Sequence, residues 1–332
     1  MTPVLETVPL TSLYSETPLI ESRVLSLWAN CKVYLKLENL QPSGSFKSRG
    51  LGLLCKRAVD SLPSDSNKPH FYSSSGGNAG LAVAFAAHTL ECPSTIVVPL
   101  TTSEYMKSKI KTAGAEVRVH GRVWNETDIY TRELAAEDAR GVYCPPFDHD
   151  DVVQGNSSLS FELRAQLPSP PDAIICSVGG GGLLAGIIKG LDENGWDRVP
   201  VVAVETEGAA SFNAAYTLGK LVRIPEINTV ATTLGSTIIS QTCLTLAQKH
   251  HTIPYLVTDA QAVNACWRFS EDHQMLVEPA CGASLAIAYT GAIRKILPDL
   301  TKNSTVVVII CGGSALTVDL LQNYCERFKD QF

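Results

Sequence analysis

Lys47 is the residue whose type and surroundings most directly suggest chemistry. It lies in QPSGSFKSRG (residues 41–50), after a short glycine-containing turn and before Ser48. A phosphate-binding P-loop requires G-x-x-x-x-G-K-[ST], but Phe46 and Gln41 occupy the two glycine positions, so that motif is absent. A solvated lysine in the first turn of a helix is the plain alternative, although a cation there opposes the helix dipole. A lysine held nearer neutrality by that dipole would be a better nucleophile.

Two further segments combine glycine with polar residues at the start of a predicted helix. SSSGGNAG (73–80) precedes an apolar helical stretch, and its adjacent glycines allow backbone N–H groups to approach an anion closely. A simple helix N-cap explains the same residues about equally well. VVVIICGGSAL (306–316) places Cys311 at the end of a strand, where a buried core thiol is the simpler interpretation.

The fourth segment, DAIICSVGGGGLLAGIIKG (172–190), is a predicted strand, four glycines and a helix. Backbone N–H groups at such a helix start are suited to a phosphate. Gly180, Gly182 and Ala185 also fit G-x-G-x-x-A, and Glu205 ends the next strand about 20 residues later, as in a dinucleotide site. This segment alone therefore leaves NAD as an alternative.

The four segments together favour one ligand. Two glycine-rich anion sites, a lysine at a helix start and a strand-end thiol suit a phosphorylated aldehyde that the lysine binds as an imine. NAD explains the segment with four glycines and leaves both Lys47 and SSSGGNAG unused. Pyridoxal phosphate accounts for all of them.

The elements that must position these residues alternate between strands and helices. Short apolar, β-branched segments predict buried parallel strands, and these are KVYLKLE (32–38), STIVVP (94–99), DAIICSV (172–178), VPVVAVE (199–205) and STVVVIIC (304–311). Helical stretches lie between them, among them NAGLAVAFAAHTL, SEYMKSKIKTAG and ACGASLAIAYTGAIRKIL. The alternation predicts an α/β protein with open, mostly parallel twisted sheets covered by helices.

Composition narrows the class of protein. A length of 332 residues suggests two domains, and the Pro-marked stretches at 61–70 and 144–151 are predicted loops, with a domain boundary near residue 147. The net charge is −6, without a Lys/Arg run, which argues against nucleic-acid and membrane partners. The two cysteines nearest in sequence are 14 positions apart, and the N-terminus lacks an apolar signal segment. We expect reduced thiols and a cytoplasmic protein.

QPSGSFKSRG, SSSGGNAG, SVGGGGL, EPACGA and CGGS resemble, in this order and over nearly the whole chain, a known family. They are similar to the short L-serine dehydratases and L-threonine deaminases of the tryptophan-synthase-β-like (fold type II) pyridoxal phosphate enzymes. The resemblance implies two domains, with residues 1–40 and 148–332 forming a large cofactor-binding domain and residues 41–147 a small one. It places the active site in the cleft between them and suggests a homodimer.

The resemblance also implies a role for individual residues. Lys47 forms the imine with the cofactor, Phe46 lies against its ring, and Asn78 contacts the ring hydroxyl and belongs to the substrate site. The loop that holds the substrate carboxylate comprises Ser75, Gly76 and Gly77. The phosphate is bound by Gly179, Gly180, Gly181 and Gly182, and Cys311 faces the pyridine nitrogen. A potassium site would use Glu205, with Ala209, Ser211 and Leu234 nearby; Glu278 in EPACGA receives no role.

Three features distinguish this sequence from related families and narrow the expected activity. The sequence has KSR, the dehydratase form, where threonine and cysteine synthases have KDR. Gly76 replaces the serine that acts as a second base in racemases, so racemisation should be poor. The chain ends at Phe332, soon after the CGGS segment, so we expect no regulatory domain and no isoleucine-type feedback inhibition.

The expected reaction is a β-elimination. Lys47 removes the Cα proton, the β-hydroxyl leaves, and L-serine yields pyruvate and ammonia, while L-threonine yields 2-oxobutanoate and ammonia. A neutral thiol at Cys311 favours elimination over transamination, and the cofactor phosphate is the candidate acid for the leaving hydroxyl. The alternatives are another reaction on the same cofactor, an NAD-dependent oxidoreductase, and a catalytically silent binding protein.

Overall fold

The chain folds into two compact units. The computed structural model describes residue 9 and residues 13–63 and 67–332; most of the N-terminal segment, and residues 64–66 of the predicted loop at 61–70, lie outside the described residues. Among the described residues, the smaller unit consists of the chain up to Glu16, Gln41–Ser43 and Lys47–Pro146, and the larger unit of Thr17–Leu40, Gly44–Phe46 and Phe147–Phe332.

A six-stranded sheet forms the centre of the larger unit. Its strands, in spatial order, are β1 (Leu19–Glu21), β2 (Lys32–Lys36), β10 (Thr305–Ile309), β7 (Ala173–Ser177), β8 (Val201–Thr206) and β9 (Thr252–Val257). Only β1 pairs antiparallel in this sheet. The residues of β7 and β8 are all buried, as a parallel strand covered on both faces requires.

The helices of the larger unit follow or precede these strands. They are α1 (Arg23–Ala29), α6 (Asp150–Gln166), α7 (Gly182–Glu193), α8 (Ser211–Leu218), α9 (Gln241–Lys249), α10 (Asp259–His273), α11 (Pro279–Tyr289), α12 (Ile293–Ile296) and α13 (Val318–Phe328). The predicted helix ACGASLAIAYTGAIRKIL is interrupted, because Gly291 adopts a left-handed φ of 67° between α11 and α12.

The smaller unit contains a four-stranded parallel sheet. Its strands, in spatial order, are β5 (Glu116–Val119), β4 (Ser94–Val98), β3 (His70–Ser73) and β6 (Gly141–Tyr143). Its helices are α2 (Lys47–Asp60), α3 (Asn78–Thr89), α4 (Glu104–Thr112) and α5 (Trp124–Glu137). The two parallel-sheet units confirm the predicted fold class. The sequence predicted only β4 here, because the other strands have three or four residues and no continuous apolar run.

Two short segments are grouped differently from the domain division implied by the resemblance. Residues 13–16 belong to the smaller unit: Leu13 packs beside Gly52, and the Ser15 N–H donates to the Gln41 side chain at 2.9 Å. Residues Gly44–Phe46 belong to the larger unit, where Phe46 N–H donates to the Cys311 carbonyl at 3.0 Å. Local contacts, rather than sequence order, decide both assignments.

The described residues also limit what the protein can contain. None of their helices combines the length and apolar character that crossing a membrane requires. No group of three or more His, Cys, Asp or Glu side chains among them could hold a metal ion. Every cysteine is an unbridged thiol, and all but Cys325 are buried.

Candidate active site

Lys47 is the first residue of α2 and is half-buried in the smaller unit. Its Nζ donates a hydrogen bond to the Pro146 carbonyl, at the end of the same unit. The turn before it is closed by Ser48, whose hydroxyl accepts from the Ser43 N–H at 3.2 Å and lies 2.7 Å from the Ser43 hydroxyl. The serine of KSR therefore holds the helix start that carries the lysine, a role that the sequence motif signalled but did not define.

The loop between β3 and α3 does not provide a side-chain N-cap for α3. Gly77 occupies the N-cap position and has no side chain that could accept a hydrogen bond from the first turn of α3. The Gly77 N–H donates to the Ser75 hydroxyl at 3.3 Å. A Cβ at Gly80 would overlap the Ser75 carbonyl oxygen, so only glycine permits this close return of the loop. The alternative of a simple N-cap is therefore wrong for this segment.

Thr102 occupies the space beside Gly76. A Cβ built on Gly76 would overlap the Thr102 hydroxyl and lie 2.8 Å from Cγ2 and 3.2 Å from Cβ. Two of the three staggered positions around the Cα–Cβ bond of Thr102 thus face Gly76. The hydroxyl and the methyl group of threonine always occupy two of these three positions. Every Thr102 rotamer leaves at least one γ heavy atom in that space. Residue 76 is therefore restricted to glycine by a neighbour that the sequence did not indicate.

The glycine segment between β7 and α7 exposes its backbone. Gly181, with φ of 95°, is the N-cap of α7 and has no side-chain cap. Within the described part of the chain, the N–H groups of Gly179–Gly182 donate to no acceptor. Four such donors at a helix start form an anion site, because the helix dipole adds to them.

Side chains of neighbouring elements fill the space that larger residues in this loop would need. A Cβ on Gly180 would overlap the Phe147 ring, and one on Gly181 would lie 2.5 Å from Cys243 Sγ. A Cβ on Gly179 would lie 3.2 Å from Leu234 Cα. The unused donors and this crowding both fit a phosphate group bound by backbone alone.

Cys311 follows β10 and is buried against polar and thiol partners in the larger unit. The Ser177 hydroxyl donates to Cys311 Sγ at 3.5 Å. Burial raises the pKa of the neighbouring Cys281 thiol well above its usual value, and its hydrogen bond with Cys311 raises it further. Cys281 is therefore a neutral hydrogen-bond partner of Cys311.

Glu205 lies at the end of β8 and has no exposed surface. Its two oxygens accept from the N–H groups of Phe212 and Asn213, both at 2.8 Å, at the start of α8. Burial raises the pKa of this carboxyl to about 8 and outweighs those two hydrogen bonds. A carboxylate enclosed in this way is not exposed to a ribose, so the NAD alternative loses its acidic ligand.

The residues predicted around Glu205 lie in two places. Ala209 ends the short turn before α8, and Ser211 begins that helix with a buried hydroxyl that has no partner among the described residues. Leu234 ends the single turn Thr232–Leu234, whose backbone packs on Gly179. Glu205 and Ser211 are thus neighbours through α8, whereas Leu234 is attached to the glycine segment.

Glu278 joins two parts of the larger unit and was left without a role by the sequence. It is 4% exposed, and its carboxylate accepts from the Ala315 N–H and from the Thr233 hydroxyl, both at 2.8 Å. Thr233 lies in the turn against Gly179, and Ala315 follows Cys311 by four residues. Glu278 therefore links the turn that packs on Gly179 to the segment that follows Cys311.

Comparison with known proteins places this geometry in a family. The family model described as pyridoxal-phosphate dependent enzyme matches residues 10–312. The chain belongs to this family. The unpaired backbone donors of the glycine segment fit the phosphate of that cofactor.

Relatives of this pyridoxal-phosphate dependent enzyme carry more specific names. The chain is 45% identical over 312 residues to human "serine dehydratase-like", covering 92% of each protein. It is 44% identical over 318 residues to human "L-serine dehydratase/L-threonine deaminase", covering 95% of each. A crystal structure of a fungal L-serine ammonia-lyase from Rhizomucor miehei matches with a TM-score of 0.91 and 42% identity, over 96% of this chain and 99% of that one.

Proposed function

We propose that the protein is an ammonia-lyase that converts L-serine to pyruvate and ammonia, and L-threonine to 2-oxobutanoate and ammonia. The observation that carries this proposal is the pairing of the Cys311 thiol with the Ser177 hydroxyl and with the neutral Cys281 thiol. A thiol facing the pyridine nitrogen, unlike a carboxylate, would not hold that nitrogen protonated, which disfavours deep stabilisation of negative charge and favours loss of the β-substituent. The names of relatives at 44–45% identity support the same two substrates.

Each residue has a task in this reaction. The cofactor, when bound, withdraws electrons from the substrate Cα. Lys47 takes the Cα proton, with Ser48 holding the helix start that carries it. The loop of Ser75, Gly76 and Gly77 binds the substrate carboxylate through N–H groups at the start of α3.

The remaining residues hold the cofactor. Gly179, Gly180, Gly181 and Gly182 would bind the phosphate, Asn78 would contact the ring hydroxyl, and Cys311 would face the ring nitrogen. Phe46 packs on the ring, with its backbone fixed by the hydrogen bond to Cys311.

The test is keto-acid release from the purified protein given L-serine, L-threonine or D-serine separately, with pyridoxal phosphate and potassium present. We expect pyruvate from L-serine and 2-oxobutanoate from L-threonine, with D-serine neither consumed at a comparable rate nor formed from L-serine. Release from D-serine alone, or no keto acid from any substrate despite bound cofactor, would replace this proposal with another reaction on the same cofactor.

The proposal includes a potassium ion near Glu205, with Ala209, Ser211 and Leu234. Two features support it: a carboxyl whose pKa burial raises to about 8, and a buried Ser211 hydroxyl without a partner among the described residues. Potassium should give higher activity than sodium in the native protein. The Glu205→Gln variant should lose this difference, and equal rates with both ions in the native protein would remove the site from the proposal.

A homodimer in the cytoplasm completes the proposed function. Leu27 and Trp28 on α1 are 83% and 55% exposed, and Trp267 on α10 is also exposed. The Arg268 guanidinium lies 4.3 Å from the centre of the Trp28 ring, which gives this apolar surface a cationic edge, as protein interfaces often have. Light scattering should give twice the chain mass, and Trp28→Lys should lower it. The unbridged thiols fit a reducing compartment.

A further inference from the structure

A buried carboxylate outside the loop between β3 and α3 holds that loop in place. Ser74 is fully buried, and its hydroxyl donates a 2.6 Å hydrogen bond to Oδ1 of Asp128 on α5. The hydroxyl of Tyr143, the last residue of β6, donates to the same oxygen. The other oxygen accepts a 2.8 Å hydrogen bond from Nε of Arg132, one turn further along α5. One carboxylate therefore ties the loop to a helix and to a second strand.

The direction of the three hydrogen bonds to Asp128 is defined. Burial raises the pKa of Asp128, but hydrogen bonds from Arg132, Ser74 and Tyr143 outweigh it, so the carboxyl has a pKa below its usual value and is ionised. Burial, and next the hydrogen bond to Asp128, raise the pKa of Tyr143, which stays a neutral donor. An ionised carboxylate can only accept, so Ser74 must donate and its hydroxyl has one orientation.

Ser74 is well placed to transmit this constraint. It is the residue directly before Ser75, Gly76 and Gly77, and the start of α3 has no side-chain cap that could fix these residues instead. Two glycines in the segment leave its backbone with much conformational freedom unless neighbouring contacts restrict it. The hydrogen bond from Ser74 is such a contact, made to a rigid helix.

We propose that Asp128 is a positioning residue for the substrate carboxylate, acting through Ser74. This inference rests on the proposed function, which assigns Ser75, Gly76 and Gly77 to that carboxylate. Asp128 does not touch the substrate. It keeps the N–H groups of the loop in the geometry that a carboxylate needs, so its loss weakens substrate binding and leaves proton transfer by Lys47 largely intact.

The experiment compares three variants with the native holoenzyme. Ser74→Ala removes the donor in the loop, Asp128→Ala removes the acceptor, and Arg132→Gln removes the hydrogen bond on the side of the carboxylate away from the loop. We expect Ser74→Ala and Asp128→Ala to raise KM for L-serine about tenfold, as loss of a hydrogen bond to a charged group does, with kcat changing less than about threefold. Arg132→Gln should raise KM clearly less than Ser74→Ala does, because Ser74 and Tyr143 still donate to Asp128.

A second measurement does not depend on activity. Amide hydrogen exchange of residues 74–78 in the cofactor-free protein should be faster in Ser74→Ala and Asp128→Ala and unchanged in Arg132→Gln. If Asp128→Ala fails to fold, the contrast between Ser74→Ala and Arg132→Gln decides the matter alone.

Three results would overturn the proposal: native KM and exchange in Ser74→Ala, an equal rise of KM in Ser74→Ala and Arg132→Gln, or a fall of kcat at unchanged KM. Failure of the proposed function is distinguishable, because the native holoenzyme would then release no keto acid from L-serine.

Discussion

The loop after β3 and the loop after β7 hold equivalent places in two parallel sheets, yet they are built differently. Each connects the carboxyl end of a strand to a helix without a side-chain cap. The first contains polar side chains, and a buried carboxylate fixes it through Ser74. The second consists of Val178 and the glycines that lead into α7, and the side chains of Phe147 and Cys243 fill the space around those glycines.

The difference fits the ligands that the proposed function gives to the two loops, the substrate carboxylate and the cofactor phosphate. A phosphate is the same in every turnover, so four backbone donors enclosed by apolar neighbours serve it permanently. A substrate must enter and leave, and its carboxylate must be oriented relative to a reacting Cα. Hydrogen bonds from outside can orient such a loop without filling it. We therefore expect substitutions in the glycine loop to act through steric overlap, and substitutions in the β3 loop to act through lost hydrogen bonds and, at Gly76, also through overlap with Thr102.

The largest expected effect is that of replacing Lys47, which should abolish the reaction and preserve binding of the cofactor phosphate. Lys47→Ala removes the base at Cα, so turnover should fall by about a thousandfold or more, while the glycine loop should still bind the cofactor phosphate. Turnover and the visible absorption of the bound cofactor should both be lost, and equilibrium dialysis should still detect cofactor. Lys56→Ala, on the same helix but paired with Asp60, is the control. Normal turnover in Lys47→Ala would refute the assignment.

The next effect tests the steric character of the glycine loop. Gly181 and Gly195 both have positive φ, of 95° and 72°, but a Cβ at Gly195 meets nothing within 4 Å. Alanine at either position costs about 1 kcal/mol of backbone strain. Gly181→Ala adds overlap with Cys243, about 1–3 kcal/mol, and should also lower cofactor affinity.

Thermal unfolding of the cofactor-free proteins and a cofactor titration measure the two parts of this prediction. Equal behaviour of Gly181→Ala and Gly195→Ala would mean that crowding around the glycine loop has no energetic importance.

A smaller effect tests the contact between Gly76 and Thr102. Gly76→Ala should destabilise the protein by about 1–3 kcal/mol, because every Thr102 rotamer overlaps the new Cβ. In the background of Thr102→Ala the same substitution should cost about 1 kcal/mol less, which a double-mutant cycle of unfolding free energies measures. Additive effects would show that the loop moves away from Thr102 without resistance.

The smallest effect concerns pH. A carboxyl with a lowered pKa stabilises the folded state above its unfolded pKa of about 3.9, and this contribution is lost as the pH falls through the lower folded value. Asp128 is such a group. The difference in melting temperature between the native protein and Asp128→Asn should be constant from about pH 5 to 7 and shrink below about pH 4. A difference that persists at pH 3 would show that the charge of Asp128 is unimportant.

Much of the fold and part of the site could be predicted from sequence because their signals are local. Apolar runs such as STIVVP and DAIICSV identify buried strands by composition alone, and they form β4 and β7. Lys47 begins a helix and Gly181 ends a strand-to-helix turn within the predicted segments. Short strands such as β6, with three residues, carry too weak a pattern.

Sequence by itself determined that this is an α/β protein with a lysine at a helix start and a glycine loop able to bind a phosphate, because each of these depends on residues within a few positions of one another. Only the tertiary structure decided what surrounds them: Asp128, 54 residues from Ser74, and Glu278, 45 residues from Thr233. Phe147 against Gly180 is a further such neighbour. Contacts over such distances depend on how strands and helices pack, and short sequence patterns carry no record of that packing.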